Sequence, residues 1–284
     1  MRTAVRIASV LIALWAESGL TANGTEPPTS QAAWVTYPFN GKDLDGWEAK
    51  GKTEEANKWR VGTAELDPAD PSKIVLKEGG SDLVNVVPPR TYHMADLVSK
   101  ARWGDCRIEI EVMVPKGSNS GIYVMGTEVQ VLDGINARTS PKGNMGAIYG
   151  RRGPSYFPAK WLELDYHSKD KAKEQEWIAW VKSDEYTKCV SKVLKPPGEW
   201  QKFIIEFELS KTDPATKTAR PARFRRVELN GVVIHENVEL GKGPQAPGTL
   251  MLQGNHGPVA FRNLSVTPLP PLPSTQPAKA EVRP

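Results

Sequence analysis

Thr127-Glu128-Val129-Gln130-Val131-Leu132-Asp133 is the stretch whose reading decides the fold. Its apolar and polar residues alternate with the period of a strand. Val129 and Val131 share one face, and Glu128 and Gln130 share the other. Asp133 falls out of phase. In a regular strand it would join the valines, so either the strand ends there or a bulge re-aims the carboxylate. Two acids on one strand facing a shared groove are a common device of sugar chemistry. A solvated sheet face with idle polar residues fits the same pattern.

The neighbouring segments read the same way. Gly117-Ser118-Asn119-Ser120-Gly121 lets the backbone turn sharply, and Ile122 to Met125 then pairs with the opening stretch as a hairpin-like wall. Asn119 and Ser120 offer hydrogen bonds to a ligand or simply make the turn. From Cys106 to Val114, apolar residues alternate with Arg107, Glu109 and Glu111, as in a half-buried antiparallel strand. Phe203, Ile205, Phe207 and Leu209 mark another strand. Asn230-Gly231 is the strongest short hairpin signal. Leu250 to Gln253 is a further strand, with Met251 and Gln253 on its polar side. The turn Gly254-Asn255-His256-Gly257 follows, placing an imidazole where it can sit at the mouth of a groove or stay inert. Beyond it, Leu264 and Val266 are out of phase with Val259 and Phe261, which predicts a bulge near Arg262-Asn263.

Many short strands punctuated by turn residues predict an all-β fold: one antiparallel sandwich with a concave face. Arg151 to Thr187 departs from this, being rich in aromatic and charged residues. It reads as an elaborated loop or extra hairpin on the rim, with strand candidates at Trp161–Asp165 and Trp177–Val181, the second also compatible with a helical turn. His235 reads as an exposed strand residue. Arg223-Phe224-Arg225-Arg226 reads as a solvated strand edge.

The 284 residues suffice for one large β domain, and a formal charge of +4 with 39% hydrophobic residues argues against disorder and nucleic-acid binding. Residues 1–22 read as an export signal, with Arg2 and Arg6 ahead of an apolar run too weak for a confident membrane span. Residues 23–33 read as a linker, 34–268 as the domain, 151–187 as its rim insertion and 269–284 as a proline-rich disordered tail. The location expected is secreted or periplasmic, without stable membrane insertion. Cys106 and Cys189 are too few for a disulfide scaffold, and their pairing stays open. No phosphate loop, nucleophile elbow or Cys/His metal spacing occurs in the sequence. No cofactor is expected, although calcium or another divalent ion is compatible with a jelly roll.

The blocks FNGKDLDGW (39–47), NSGIYV (119–124), EVQVLD (128–133), GAIYG (146–150), PGEW (197–200), LNGV (229–232) and LQGNHGPVAFRNL (252–264), in this order, resemble the 3-keto-disaccharide hydrolase domain. That family is also described as a 3-keto-glucoside 1,2-lyase and 3-keto-2-hydroxy-glucal hydratase. The resemblance implies a concanavalin-like, glucanase-like antiparallel β-jelly roll. It also implies cleavage of a 3-keto-glycoside by loss of the C2 proton and elimination at C1, with possible hydration of the glucal. Matched by chemical type, His256 or Glu128 is the expected base and Asp133 or Glu128 the expected acid. Arg262, Gln130, Asn119, Tyr149 and Gln253 are expected to hold the substrate. Two other readings stand beside this one. The first is a retaining glycosidase on the same fold. The second is a carbohydrate-binding module whose surplus tryptophans, among the nine present, stack on sugars.

Overall fold

A computed structural model describes residues 34–136, 139–164, 169–213 and 216–270. The expected signal peptide, the linker and the tail from residue 271 onward lie outside these residues.

The strands in chain order are β1 (Trp47–Lys50), β2 (Trp59–Leu66), β3 (Ile74–Asn85), β4 (Asp96–Ser99) and β5 (Cys106–Met113). Then come β6 (Asn119–Val124), β7 (Thr127–Leu132), β8 (Gln201–Glu208), β9 (Lys211–Thr212) and β10 (Ala219–Arg220). The last four are β11 (Arg223–Leu229), β12 (Val232–Glu239), β13 (Leu250–Leu252) and β14 (Val259–Pro268). A five-stranded sheet runs β1-β4-β13-β6-β7, and a seven-stranded sheet runs β12-β11-β8-β5-β14-β3-β2. Strands β9 and β10 form a small separate pair. Neighbours distant in sequence, such as β5 beside β14, all pair antiparallel, as in a jelly-roll sandwich.

The core lies between the sheets. Ile108, Ile110 and Val112 of β5 and Phe203, Ile205 and Phe207 of β8 face Val129 and Val131 of β7 in one buried cluster. Burial of these side chains drives the pairing of the two layers. The Asn230-Gly231 turn has φ values of 52° and 84°, the two positive angles a type I′ hairpin requires. The expected bulge is present: the β14 register slips between Arg262 and Ser265, and Asn263 takes φ 53°.

Strand β7 ends its sheet, yet its edge is not bare. The Gln130 N–H donates to the Ala147 carbonyl at 2.9 Å, and the N–H groups of Gly146 and Tyr149 donate to Gln130 and Glu128 at 2.8 and 3.0 Å. Satisfying the edge in this way prevents further strand addition and carries Tyr149 over the polar face of β7.

The insertion is helical, not a hairpin. It contains a 3-10 turn at Ala159–Trp161, α1 (Lys171–Trp180) and α2 (Asp184–Val190). Asp170 caps α1 by accepting from the Lys173 N–H, and Ser183 caps α2. Phe157, Trp161, Trp177, Trp180 and Tyr186 pack ring against ring. The segment closes one side of the sandwich. Ser155 N–H donates to Ile234 O of β12 at 3.0 Å, and Tyr186 OH donates to Gly134 O, just beyond β7, at 2.6 Å.

Two smaller expectations are also corrected. His235 is buried, with Nε2 bonded to Gly146 O at 2.9 Å, and burial pushes its pKa down to about 4. Strand β11, which carries the arginine cluster, is interior to its sheet. Its arginines pair with glutamates, Arg223 with Glu208 and Arg226 with Glu228, each at 2.7 Å.

Candidate active site

The β6–β7 hairpin sets the site's register. Met125 and Gly126 both have positive φ, 49° and 87°, so two residues complete the turn. Tyr123 then stands opposite Glu128, and Gly121 opposite Gln130. Across the sheet, Met251 pairs with Tyr123 on one side and Val98 on the other. One alternation further along, Gln253 N–H donates to Gly121 O at 2.9 Å. Asp96, Gln253, Tyr123 and Glu128 therefore share the outer, polar face of the five-stranded sheet.

Tyr123 OH donates to Glu128 Oε2 at 2.8 Å and accepts from Gln253 Nε2 at 3.3 Å. Gly121 makes room for the carboxylate: a Cβ there would lie 2.5 Å from Glu128 Oε1. Glu128 thus leans along the strand toward the Gln130 row. It is 8% exposed. Burial, and secondarily the Asp96 charge, outweigh the Tyr123 bond and raise its pKa to about 7.

His256 is held from three sides. Asn85, wholly buried, donates through Nδ2 to Gly254 O at 2.7 Å and Gly257 O at 3.0 Å. Asp96 Oδ1 accepts from Gly254 N–H at 2.9 Å. Ser118 Oγ donates to Pro258 O. His256 Nδ1 contacts Asn255 Oδ1, and its ring meets Tyr92 edge-on at 5.6 Å. Burial lowers the His256 pKa, opposed by Asp96 and assisted by His93.

A cavity of about 290 Å³ opens on this face, and Arg90, Asn119, Gln130, Tyr149 and His256 line it. The buried Asn119 Oδ1 has no partner within the described residues. Gln130 Oε1 accepts from the Val131 N–H at 2.9 Å.

Of the eight residues expected from sequence, His256, Asn119, Gln130 and Tyr149 line the cavity; Glu128 and Gln253 lie on the same sheet face, joined through Tyr123, without lining it. Asp133 belongs to neither group, because the strand ends before it. Its Oδ2 accepts from Gly117 N–H at 2.9 Å, and its Oδ1 from both nitrogens of Asn136 at 3.1 Å. It fastens the turns and lines no part of the cavity. Arg262 lies elsewhere. Phe261 takes the inward position of β14, so Arg262 points to the outside of the seven-stranded sheet. There it donates to Glu111 Oε2 at 2.7 Å and covers the Trp200 ring at 4.0 Å.

Sequence reasoning missed Tyr123, Arg90, Tyr92, Asp96 and Asn85. Tyr123 was within reach, since a two-residue Met125-Gly126 turn puts it opposite Glu128. The others arrive through long-range pairing, which no local pattern announces. Among the described residues, no group of three His, Cys, Asp or Glu side chains is placed to hold a metal ion. Cys106 and Cys189 are free.

A glucanase-type β-jelly roll with a polar cleft on one sheet is the class that this architecture defines. The chain belongs to the 3-keto-alpha-glucoside-1,2-lyase-like domain family, whose model matches residues 34–267. It is therefore a carbohydrate-active domain. One solved structure, a "putative glycosyl hydrolase" of Parabacteroides distasonis, is 23% identical with a TM-score of 0.52, covering 83% of this chain and 84% of its own. A second structure from that organism, under the same description, is 17% identical with a TM-score of 0.48, covering 83% and 94%. A beta-glucanase of Bacillus licheniformis is 11% identical with a TM-score of 0.35, covering 85% and 100%. The first of these is a likeness of fold alone. No curated protein matches the chain.

Proposed function

We propose that this protein cleaves 3-keto-glycosides by elimination. The observation that supports the reading is a cavity lined by His256, Arg90 and Asn119, with the buried carboxyl of Glu128 on the same face of β7 as Gln130, which also lines it. A C3 ketone acidifies the hydrogen at C2. His256, neutral near pH 7, takes that proton. Negative charge develops on the C3 oxygen, where Arg90 and the Asn119 side chain supply donors. The C1–O bond then breaks, and Glu128 in its protonated form gives its proton to the departing oxygen. The products are a free alcohol and a 3-keto-2-hydroxy-glucal, to which water can add at C1 for net hydrolysis. Proton exchange with solvent resets both groups.

Tyr92 and Tyr149, 55% and 52% exposed, flank the cavity as stacking surfaces. A retaining glycosidase is less well supported: Gln130 occupies the alternate position on β7, and Asp133 is engaged elsewhere. A pure binding module is also less well supported, because Trp47, Trp59, Trp161 and Trp177 are buried and present no sugar platform. Export through residues 1–22 belongs to the same proposal. Among the described residues, no helix is long and apolar enough to cross a membrane.

The test is to incubate the protein with a 3-keto-glucoside and follow the released alcohol and glucal by NMR. Glu128→Gln and His256→Ala should each lower kcat/KM by about 100-fold or more. Near-normal rates in both would reject the assignment.

A further inference from the structure

We propose that the cleft has a second compartment that selects a leaving group bearing a carboxylate. This rests on the elimination reading, with Glu128 at the departing oxygen. A second cavity, of about 280 Å³, is lined by Lys50, Lys52, His93, Asp96 and Asn255. It adjoins the first, because His93 and Asn255 directly follow Tyr92 and directly precede His256, both of which line the first cavity. Asp96 on β4 belongs to the second compartment. Gln253, Tyr123 and Glu128 lie on the same polar face of the sheet, Tyr123 and Glu128 one alternation away from the Asp96–Gln253 level. Glu128 lines neither cavity; in the elimination reading its proton goes to the oxygen that passes from the first compartment to the second.

The donors that suit a keto sugar, Arg90 and Asn119, line the first compartment, so the second receives what leaves. Its charge is unusual for a neutral sugar. Lys50 pairs with Glu48 at 2.9 Å, but both side chains are more than half exposed, at 56% and 58%, so the pair is weak and readily exchanged. Lys52 has no ion pair among the described residues. The one carboxylate of the compartment, Asp96, accepts from Gly254 N–H and offsets part of this charge. Two ammonium groups against one carboxylate leave the compartment net positive. A carboxylate on the leaving group accepts from them, while a neutral isostere gains nothing.

Two 3-keto-glucosides that differ only in the leaving group, 4-carboxyphenyl against 4-carbamoylphenyl, test this directly. Wild-type kcat/KM should favour the carboxylate by about tenfold at low salt, as two partly exposed ion pairs allow, and less so in about 0.5 M salt. Replacing both lysines (Lys50→Gln with Lys52→Gln) should bring the ratio close to one. These residues are solvent-exposed, so folding should be preserved. An equal wild-type rate on both compounds, or a ratio unchanged by the double substitution, overturns the compartment. Calorimetric titration of the Glu128→Gln protein with the same compounds separates the two proposals. Tighter carboxylate binding without wild-type turnover keeps the compartment and rejects elimination. Turnover without preference does the reverse, and neither binding nor turnover rejects both.

Discussion

At pH values above about 7, Glu128 becomes an anion with little water around it and Asp96 nearby. Its pKa rises from an ordinary 4.5 to about 7, so the folded protein holds a proton that the unfolded chain has already lost. Stability associated with this group is therefore full below pH 4.5 and lost as pH rises through about 7. At about 1.4 kcal/mol per unit, the loss is about 3 kcal/mol. Relative to wild type, Glu128→Gln should gain stability on going from pH 4 to pH 8, measured by urea unfolding at each pH; a constant difference contradicts the burial argument. His256, its pKa lowered by burial, must be neutral to accept a proton, so rate rises with pH on a limb below the usual histidine range. Glu128 must be protonated, so rate falls on a limb near pH 7. A kcat/KM profile without the upper limb would remove Glu128 as the acid.

At the scale of the element, the hairpin and the His256 turn make opposite predictions for glycine. In Gly121→Ala the new Cβ meets Glu128 at Oε1 (2.5 Å) and at Cδ and Cγ (3.0 Å), a side chain rather than backbone, which turns away on its own torsions. Stability should change by less than about 1 kcal/mol, while kcat falls at least tenfold as the carboxyl is displaced. In Gly254→Ala the Cβ meets the Ala95 carbonyl and the Trp59 indole, neither of which can yield. That variant should lose more than about 2 kcal/mol in thermal unfolding. Wild-type behaviour of both would contradict the packing described. The strands here were legible in the sequence because period-two alternation and the Asn230-Gly231 turn are local signals. The strand does end at Leu132, one of the two alternatives the sequence offered, but what Asp133 then bonds was not legible: its carboxylate accepts from Gly117 N–H and Asn136 rather than facing the cavity. Arg262 was misread because the register across β14 decides which wall a side chain faces.

At the scale of the molecule, the helical insertion explains why the β7 edge is ordered enough to present Tyr149. Tyr186 OH links α2 to Gly134 and accepts from Asn144 Nδ2 at 3.0 Å. Tyr186→Phe leaves these groups buried without that partner and should cost about 1–3 kcal/mol, read by chemical denaturation. In the function proposed, cleavage should weaken with it as Gly134 and the 139–150 segment loosen. The helices escaped the sequence reading because tryptophan density suggested strands, although Asp170 and the run Lys171–Glu176, without a β-branched residue, were helix signals. In the function proposed, the polar sheet face brings Glu128 and His256 to bear on two proton transfers at one sugar. The most direct test compares kcat/KM for a 3-keto-glucoside carrying protium or deuterium at C2. Breaking that bond in the first irreversible step predicts a rate clearly lower with deuterium, together with a glucal product. Equal rates with cleavage still occurring, and no glucal formed, would contradict elimination.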